Sequence, residues 1–342
     1  MKKITTLSLV FLLTTLFINA QTTFTVDNTE GADADYNDLQ SAINSVLANS
    51  ILYVHASEIN YGDITIDKPI SLIGFSHSAE DKETMIDEVD LLDSASNVRL
   101  SGIHFTNDLT VNNDNSIVSD LIIENNFFDS FAEVFFTGDE LVVNMTMRGN
   151  ILNTVGSDFQ SSTNYSNSII ANNIFYDDLH VFFHESVAVE NNIFLNGATV
   201  ENSDDETGNL VVQDCIFYDN RSSNFDPNRV GVVFQNCLSY NETNSVTTLI
   251  GTGNFNDIDP QFVSADDDIF DPTIDDYNLQ PGSDALGNGV AGDDIGLYST
   301  NTNFTFNNFG YTAGIPIVTI TAITSQIAPG GDLEVTIESN SN

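Results

Sequence analysis

Tryptophan is absent from the 342 residues, and cysteine occurs only twice. Two cysteines cannot build a disulfide scaffold, so the chain must be held by a core of its own. Cations are nearly as scarce: 8 Lys+Arg stand against 50 Asp+Glu, a formal net charge of −42. Such a surface repels polyanions, which makes nucleic acid and anionic lipid poor partners and denies the chain an unaided grip on acidic glycans. The plain meaning of the charge is solubility, and the sharper one is calcium, because hard cations gather carboxylate oxygens. Long apolar runs are missing after the first twenty residues, so no later membrane span is expected. Those twenty hold Lys2, Lys3, a mostly apolar run from Leu7 to Phe17 and then Ile18-Asn19-Ala20. That is the layout of a secretory signal peptide, so residues 1–20 are expected to be removed and the protein to work extracellularly or at the cell surface.

What is present is a folded chain, with 41% hydrophobic residues and 24 phenylalanines. It also repeats itself. "LIIENNFFDS" (121–130), "MTMRGNILNT" (145–154), "SIIANNIFYD" (168–177), "VAVENNIFLN" (187–196), "LVVQDCIFYD" (210–219) and "VVFQNCLSYN" (232–241) align on a polar pair, and "VRLSGIHFTN" (98–107) fits before them. The second residue of each pair falls at 103, 126, 150, 173, 192, 215 and 237, in steps of 23, 24, 23, 19, 23 and 22. A period in the low twenties with strand-like alternation describes a solenoid whose units cannot bury their faces alone. The pair is a bend, since Asn tolerates left-handed dihedrals. Three short strands per turn then make an all-β fold, a right-handed parallel β-helix. Stacked bends place Asn126, Asn150, Asn173 and Asn192 in one line at about 4.8 Å, an amide ladder continued by Cys215 and Cys237. The two thiols are either reduced and packed or bridged across neighbouring rungs.

Open solenoid ends need covers. Leu39, Ala42, Ile43, Val46 and Leu47 follow helical spacing, so an N-terminal capping helix is expected, with Asn37 or Asp38 as its cap. Residues 254–298 read as irregular loops closing the far end, and residues 316–339 as a terminal β-hairpin around Pro-Gly-Gly. The expected division is residues 1–20 as signal, 21–298 as the β-helix with its caps, and 299–342 as a β-rich tail.

"FTVDNTEGADADYNDLQSAINSVLANSILYVHASEINYGDITIDKPISLIGF" resembles the opening of secreted β-helix proteins related to pectate lyases and pectin methylesterases. "DIDPQFV", "DYNLQPGSDALGNG" and "DDIGLY" (within 257–298) are similar to the closing segment of bacterial members. The resemblance implies the fold and a polysaccharide partner. It does not imply one activity, because such coils host lyases, hydrolases, esterases and noncatalytic adhesins. No catalytic set of the family is recognisable here.

Candidate sites follow from the register. Counting from each pair, Glu133, Ser157, His180 and Thr199 form one column, and Phe135, Phe159 and Phe182 form a stripe beside it. In one pleat phase they face outward and suit a long neutral glycan; in the other the rings are core. Arg221 and Arg229 flank the one loop where two cations gather. Asp266, Asp267, Asp268, Asp271, Asp275 and Asp276 are the densest carboxylates and the candidate calcium ligands. His180 and His184 sit too far apart on a strand to chelate one ion, and "DADYND" (33–38) departs from a calcium loop at Asp38 and Asn44. Two functions remain: a noncatalytic protein that binds polysaccharide along its coil, and a polysaccharide-degrading lyase or hydrolase.

Overall fold

A computed structural model describes residues 21–75, 83–129, 132, 134–136, 141–153, 165–176, 180–183, 186–202, 209–219, 226–265, 270, 275–298, 316–323 and 335–341. Within them the chain is a parallel β-solenoid. One sheet has eleven strands, from Thr23–Val26 through Ser50–Val54, Ile70–Ile73 and each later coil to Gly251–Thr252. A second has nine, from Met85–Ile86 to Phe255–Asn256. The third side is shorter: four strands from Ile64–Ile66 to Val134–Phe136, then a separate pair, His180–Phe183 with Thr199–Asn202. No described helix is long and apolar enough to cross a membrane.

Register explains the core. Leu52, Leu72, Leu100, Ile123, Met147, Ile170, Val189, Val212 and Phe234 pair rung to rung and are all buried. Alternation therefore aims one column inward along the whole sheet. In the nine-stranded sheet the inward column is aromatic. Phe105 stacks on Phe128 with centroids 4.5 Å apart, and Phe175, Phe194 and Phe217 stack at 4.9 and 4.8 Å. Leu152 lies between those two groups.

The polar pair divides its labour. From Gly102 onward its first residue is left-handed: Gly102, Asn125, Gly149, Asn172, Asn191, Asp214, Asn236 and Gly253 have φ between 51° and 73°. Glycine and Asn/Asp carry that conformation at least cost. The second residue points inward. Asn126 Nδ2 donates to Asn150 Oδ1 (3.1 Å), Asn150 Nδ2 to Asn173 Oδ1 (2.9 Å) and Asn173 Nδ2 to Asn192 Oδ1 (3.0 Å). Beyond Asn192 the column passes to sulfur. The Asn192 amide N–H meets Cys215 Sγ at 3.4 Å, and the Cys215 N–H meets Cys237 Sγ at 3.5 Å. The Cys237 N–H returns it to oxygen at Asn254 Oδ1 (2.9 Å). Both cysteines are buried free thiols, and burial pushes the Cys215 thiol well above its usual value.

The covering helix spans Leu39–Ser45, capped by Asp38, whose Oδ1 accepts from the Ser41 N–H at 2.7 Å. It buries Leu39, Ala42 and Ile43. The expectation that Leu47 extends this face is wrong: Val46 is already extended, and Leu47 is 80% exposed. The chain must reverse at Asn49 (φ 66°) to enter the strand Ser50–Val54, which ends the helix early. The expected hairpin appears as Pro316–Ile323 paired antiparallel with Val335–Ser341.

Residues 254–298 are not loops throughout: among those described, Phe255–Asn256 extends the nine-stranded sheet and Phe262–Ser264 pairs antiparallel with Asp276–Leu279. Residues 280–298 are irregular, as expected, and run as a strap along the outside of the nine-stranded sheet. Phe262, Tyr277, Ala285, Ile295 and Leu297 pack on the outward Ile151, Ile174, Ile193, Ile216 and Leu238.

Candidate functional site

The strap covers the outer face of the nine-stranded sheet from Ile151 to Leu238. Side chains of the left-handed bends hold it down. Asn172 Nδ2 donates to the Leu297 carbonyl (2.8 Å), Asn191 Nδ2 to Gly296 (3.0 Å) and Asn236 Nδ2 to Asn288 (2.8 Å). Asp214 Oδ1 accepts from the Val290 N–H at 2.9 Å, and the Asp214 carbonyl from the Gly296 N–H at 2.8 Å. The approach is close. A Cβ on Gly296, whose φ is 100°, would lie 2.6 Å from Ile216 Cδ1.

Asp214 makes this attachment sensitive to pH. Burial raises its carboxyl above the ordinary 3.8; the Val290 N–H and the Gln213 amide oppose the shift, and Asp293 and Glu190 add to it. The unfolded carboxyl ionises first, so this group's contribution to stability falls as pH rises past 3.8 and levels off above the folded value. Asp214→Asn keeps the acceptor for Val290 without the charge. We expect the variant to melt higher than wild type at neutral pH and to gain less on acidification to about pH 4, read by thermal melting.

Acidic-glycan chemistry would need cations free to meet carboxylates. Lys68 Nζ donates to the carbonyls of Ile43, Asn44 and Val46, at 2.9, 3.4 and 3.4 Å, closing the C-terminus of the capping helix. Arg99 and Arg148 converge from either side on Glu124, which is almost wholly buried. Arg99 takes Oε1 and Arg148 takes Oε2, the latter at 3.0 Å. Arg229 Nε bonds Glu201 Oε1 at 3.0 Å, and its Nη1 holds the Asp226 and Asn228 carbonyls. Lys82 and Arg221 lie outside the described residues. His104 Nδ1 bonds the Glu83 carboxylate, its Nε2 lies 3.9 Å from Asp129 Oδ2, and its ring packs 4.8 Å from Phe127. This His-carboxylate group on the nine-stranded sheet, with Phe127 one coil before the outermost column residue under the strap, Ile151, is a cluster the sequence reading did not single out.

The expected glycan residues are only partly placed. Phe135 is half-buried between the buried Val134 and Phe136, and it continues the outward column Thr65, Asp90, Thr110. Pairing sets His180 beside Thr199 and Phe182 beside Glu201. Thr199 is 2% exposed, so it does not belong to an exposed polar column; Arg229 Nη2 reaches its hydroxyl at 3.4 Å, bringing two expected residues together under one guanidinium. Glu133, Ser157, Phe159 and His184 lie outside the described residues. Of the candidate calcium ligands, Asp275 is buried with the Tyr277 hydroxyl on Oδ2 (3.2 Å), and Asp276 Oδ1 accepts from the Asn278 backbone (3.0 Å) and side chain (2.6 Å). Asp266, Asp267, Asp268 and Asp271 lie outside the described residues. Among the described residues no group of three or more His, Cys, Asp or Glu is arranged to hold a metal ion.

Among the described residues none forms a strap over the eleven-stranded sheet. Its outward residues form two parallel columns. One runs Ile122, Thr146, Ile169 and Ala188, then Val211 and Val233. Ile122, Ile169 and Val211 are 37%, 43% and 44% exposed. The other runs Glu124, Arg148, Ala171, Glu190, Gln213 and Gln235. Neither column was anticipated from the sequence. The signal was available in the middle residue of each φ-x-φ run, which is itself aliphatic in several coils.

Comparison with known proteins adds a structural likeness. No family model matches the chain, and no curated protein matches it. Among solved structures it is similar to a chain described as "Rhamnogalacturonan lyase", at 12% identity and a TM-score of 0.41, over 71% of this chain and 91% of that one. That likeness gives no residue here a role.

Proposed function

We propose that this is a secreted or cell-surface β-helix protein that binds polysaccharide along its coil without cleaving it. One observation carries the noncatalytic part: Lys68, Arg99, Arg148 and Arg229 are each engaged by a structural partner within the fold. A lyase acting on uronates needs a cation for the substrate carboxylate and a basic group for the proton beside it. The formal charge of −42 adds a general repulsion of acidic chains. Export is supported by the pattern of residues 1–20. Incubating the purified protein with neutral and acidic polysaccharides tests the reading. The expected result is retention on polymer with neither unsaturated nor new reducing-end products.

The second reading is a polysaccharide-degrading enzyme, and the His104 group favours it. An imidazole oriented by Glu83 and flanked by Asp129 has the parts of a general acid–base pair. Products released by wild type and abolished in His104→Ala, with an unchanged melting temperature, would replace the first reading with this one.

A further inference from the structure

We infer that the polymer lies along the outer surface of the eleven-stranded sheet and is an uncharged, extended polysaccharide; the inference rests on the polysaccharide reading above. Among the described residues this is the longest uncovered face. The nine-stranded sheet carries the strap, and the third side is divided between a four-stranded sheet and a pair. Parallel in-register strands put one outward residue per rung in a straight row, at about 4.8 Å. Ile122, Thr146, Ile169, Ala188, Val211 and Val233 fill that row with aliphatic or hydroxyl groups. Scattered surface aliphatics mean little, but a contiguous row marks a contact surface. Beside it Gln213 and Gln235 offer amide donors and acceptors on successive rungs.

Charge selects the occupant. Both arginines at one end are held by the carboxylate of Glu124, so the row offers no unengaged guanidinium to a carboxylated chain, which the formal charge of −42 also repels. A basic partner meets too few acids, since the neighbouring column from Arg148 to Gln235 holds one carboxylate, Glu190. A second copy brings its own charge of −42 and is repelled. An uncharged chain avoids all three penalties. Its C–H faces rest on the aliphatic row and its hydroxyls meet the glutamines, while a straight row demands an extended chain.

The test is affinity electrophoresis in gels cast with mixed-linkage β-glucan, galactomannan or polygalacturonate. It compares wild type, the double variant Ile169→Glu/Val211→Glu, and Val263→Glu, which alters an aliphatic that is 50% exposed in the strand Phe262–Ser264 over the nine-stranded sheet. We expect wild type and Val263→Glu to be retarded by a neutral polymer and not by polygalacturonate, and the double variant to bind about ten-fold or more weakly. If the double variant melts lower, Ile169→Ser/Val211→Ser replaces it and the same loss is expected. Equal retardation of wild type and double variant overturns the assignment to this face while leaving polysaccharide binding in place. Retardation by polygalacturonate alone overturns the uncharged class. A wild-type dimer in light scattering that the double variant abolishes makes the row a contact between copies. Failure of wild type to bind any of the polymers removes the reading on which the inference rests.

Discussion

Asn173→Ala is expected to cost about 3–5 kcal/mol of folding free energy, read as a lower denaturant midpoint at unchanged slope. Oδ1 of Asn173 accepts from both the backbone N–H and the Nδ2 of Asn150, at 3.0 and 2.9 Å. Its own Nδ2 faces the Met147 and Ala171 carbonyls and Asn192 Oδ1, at 3.1, 3.0 and 3.0 Å. Asn126, Asn150, Asn173 and Asn192 have no solvent exposure, so water cannot replace what alanine removes. Two donors of Asn150 lose their acceptor at once, and a desolvated donor without a partner costs more than the bond it made. Asn173→Asp should be worse still, because a carboxylate cannot donate and would carry charge into the core. A variant as stable as wild type would show that the column is not under load.

Phe194→Ala should cost a similar amount, about 3–5 kcal/mol, by a different route. Its ring lies between Phe175 and Phe217, within 8° of parallel to each. Alanine leaves a cavity that the rigid rungs cannot close and removes two ring contacts. Phe194→Leu should cost much less, roughly 1–2 kcal/mol. Leu152 already occupies the equivalent place between Phe128 and Phe175, so that volume is tolerated in this column. Denaturant unfolding of the two variants side by side distinguishes volume from stacking. Equal losses would point to the ring interaction, and a small loss in both would mean that the site collapses.

The solenoid was legible because its period survives in polar residues that do one local job. A left-handed bend tolerates few residue types, so Asn, Asp and Gly recur at 102, 125, 149, 172, 191, 214, 236 and 253. The helix cap at Asp38 was legible for the same reason, since one side chain satisfies a local donor. The strap was not, because its pairing is with bends many residues away, as Asn172 with Leu297. A trace of it does stand in the sequence. Ile174-Phe175, Ile193-Phe194 and Ile216-Phe217 are consecutive apolar residues in a strand, which means both faces of that sheet are covered. The third-side column was hard to place because the path from bend to third strand varies between coils. The Arg99–Glu124–Arg148 clamp is invisible without the pairing register, which alone brings 99, 124 and 148 onto one face.

The interruption of the phenylalanine column at Leu152 bears on how the chain finds its proper neighbours. Coils with the same bend and the same strand pattern compete: one that docks a full turn too early or too late still satisfies its backbone. Such slipped stacks are close in energy to the correct one unless something marks each turn. Here the marks differ from coil to coil. Leu152 fits between Phe128 and Phe175. A single acid, Glu124, needs an arginine on either side. Sulfur replaces amide at Cys215 and Cys237. A turn displaced by one place would take Leu152 from its seat between Phe128 and Phe175 or leave Glu124 with one arginine. The irregularities in an otherwise periodic chain thus act as addresses, and evening them out would lower the barrier to misassembly.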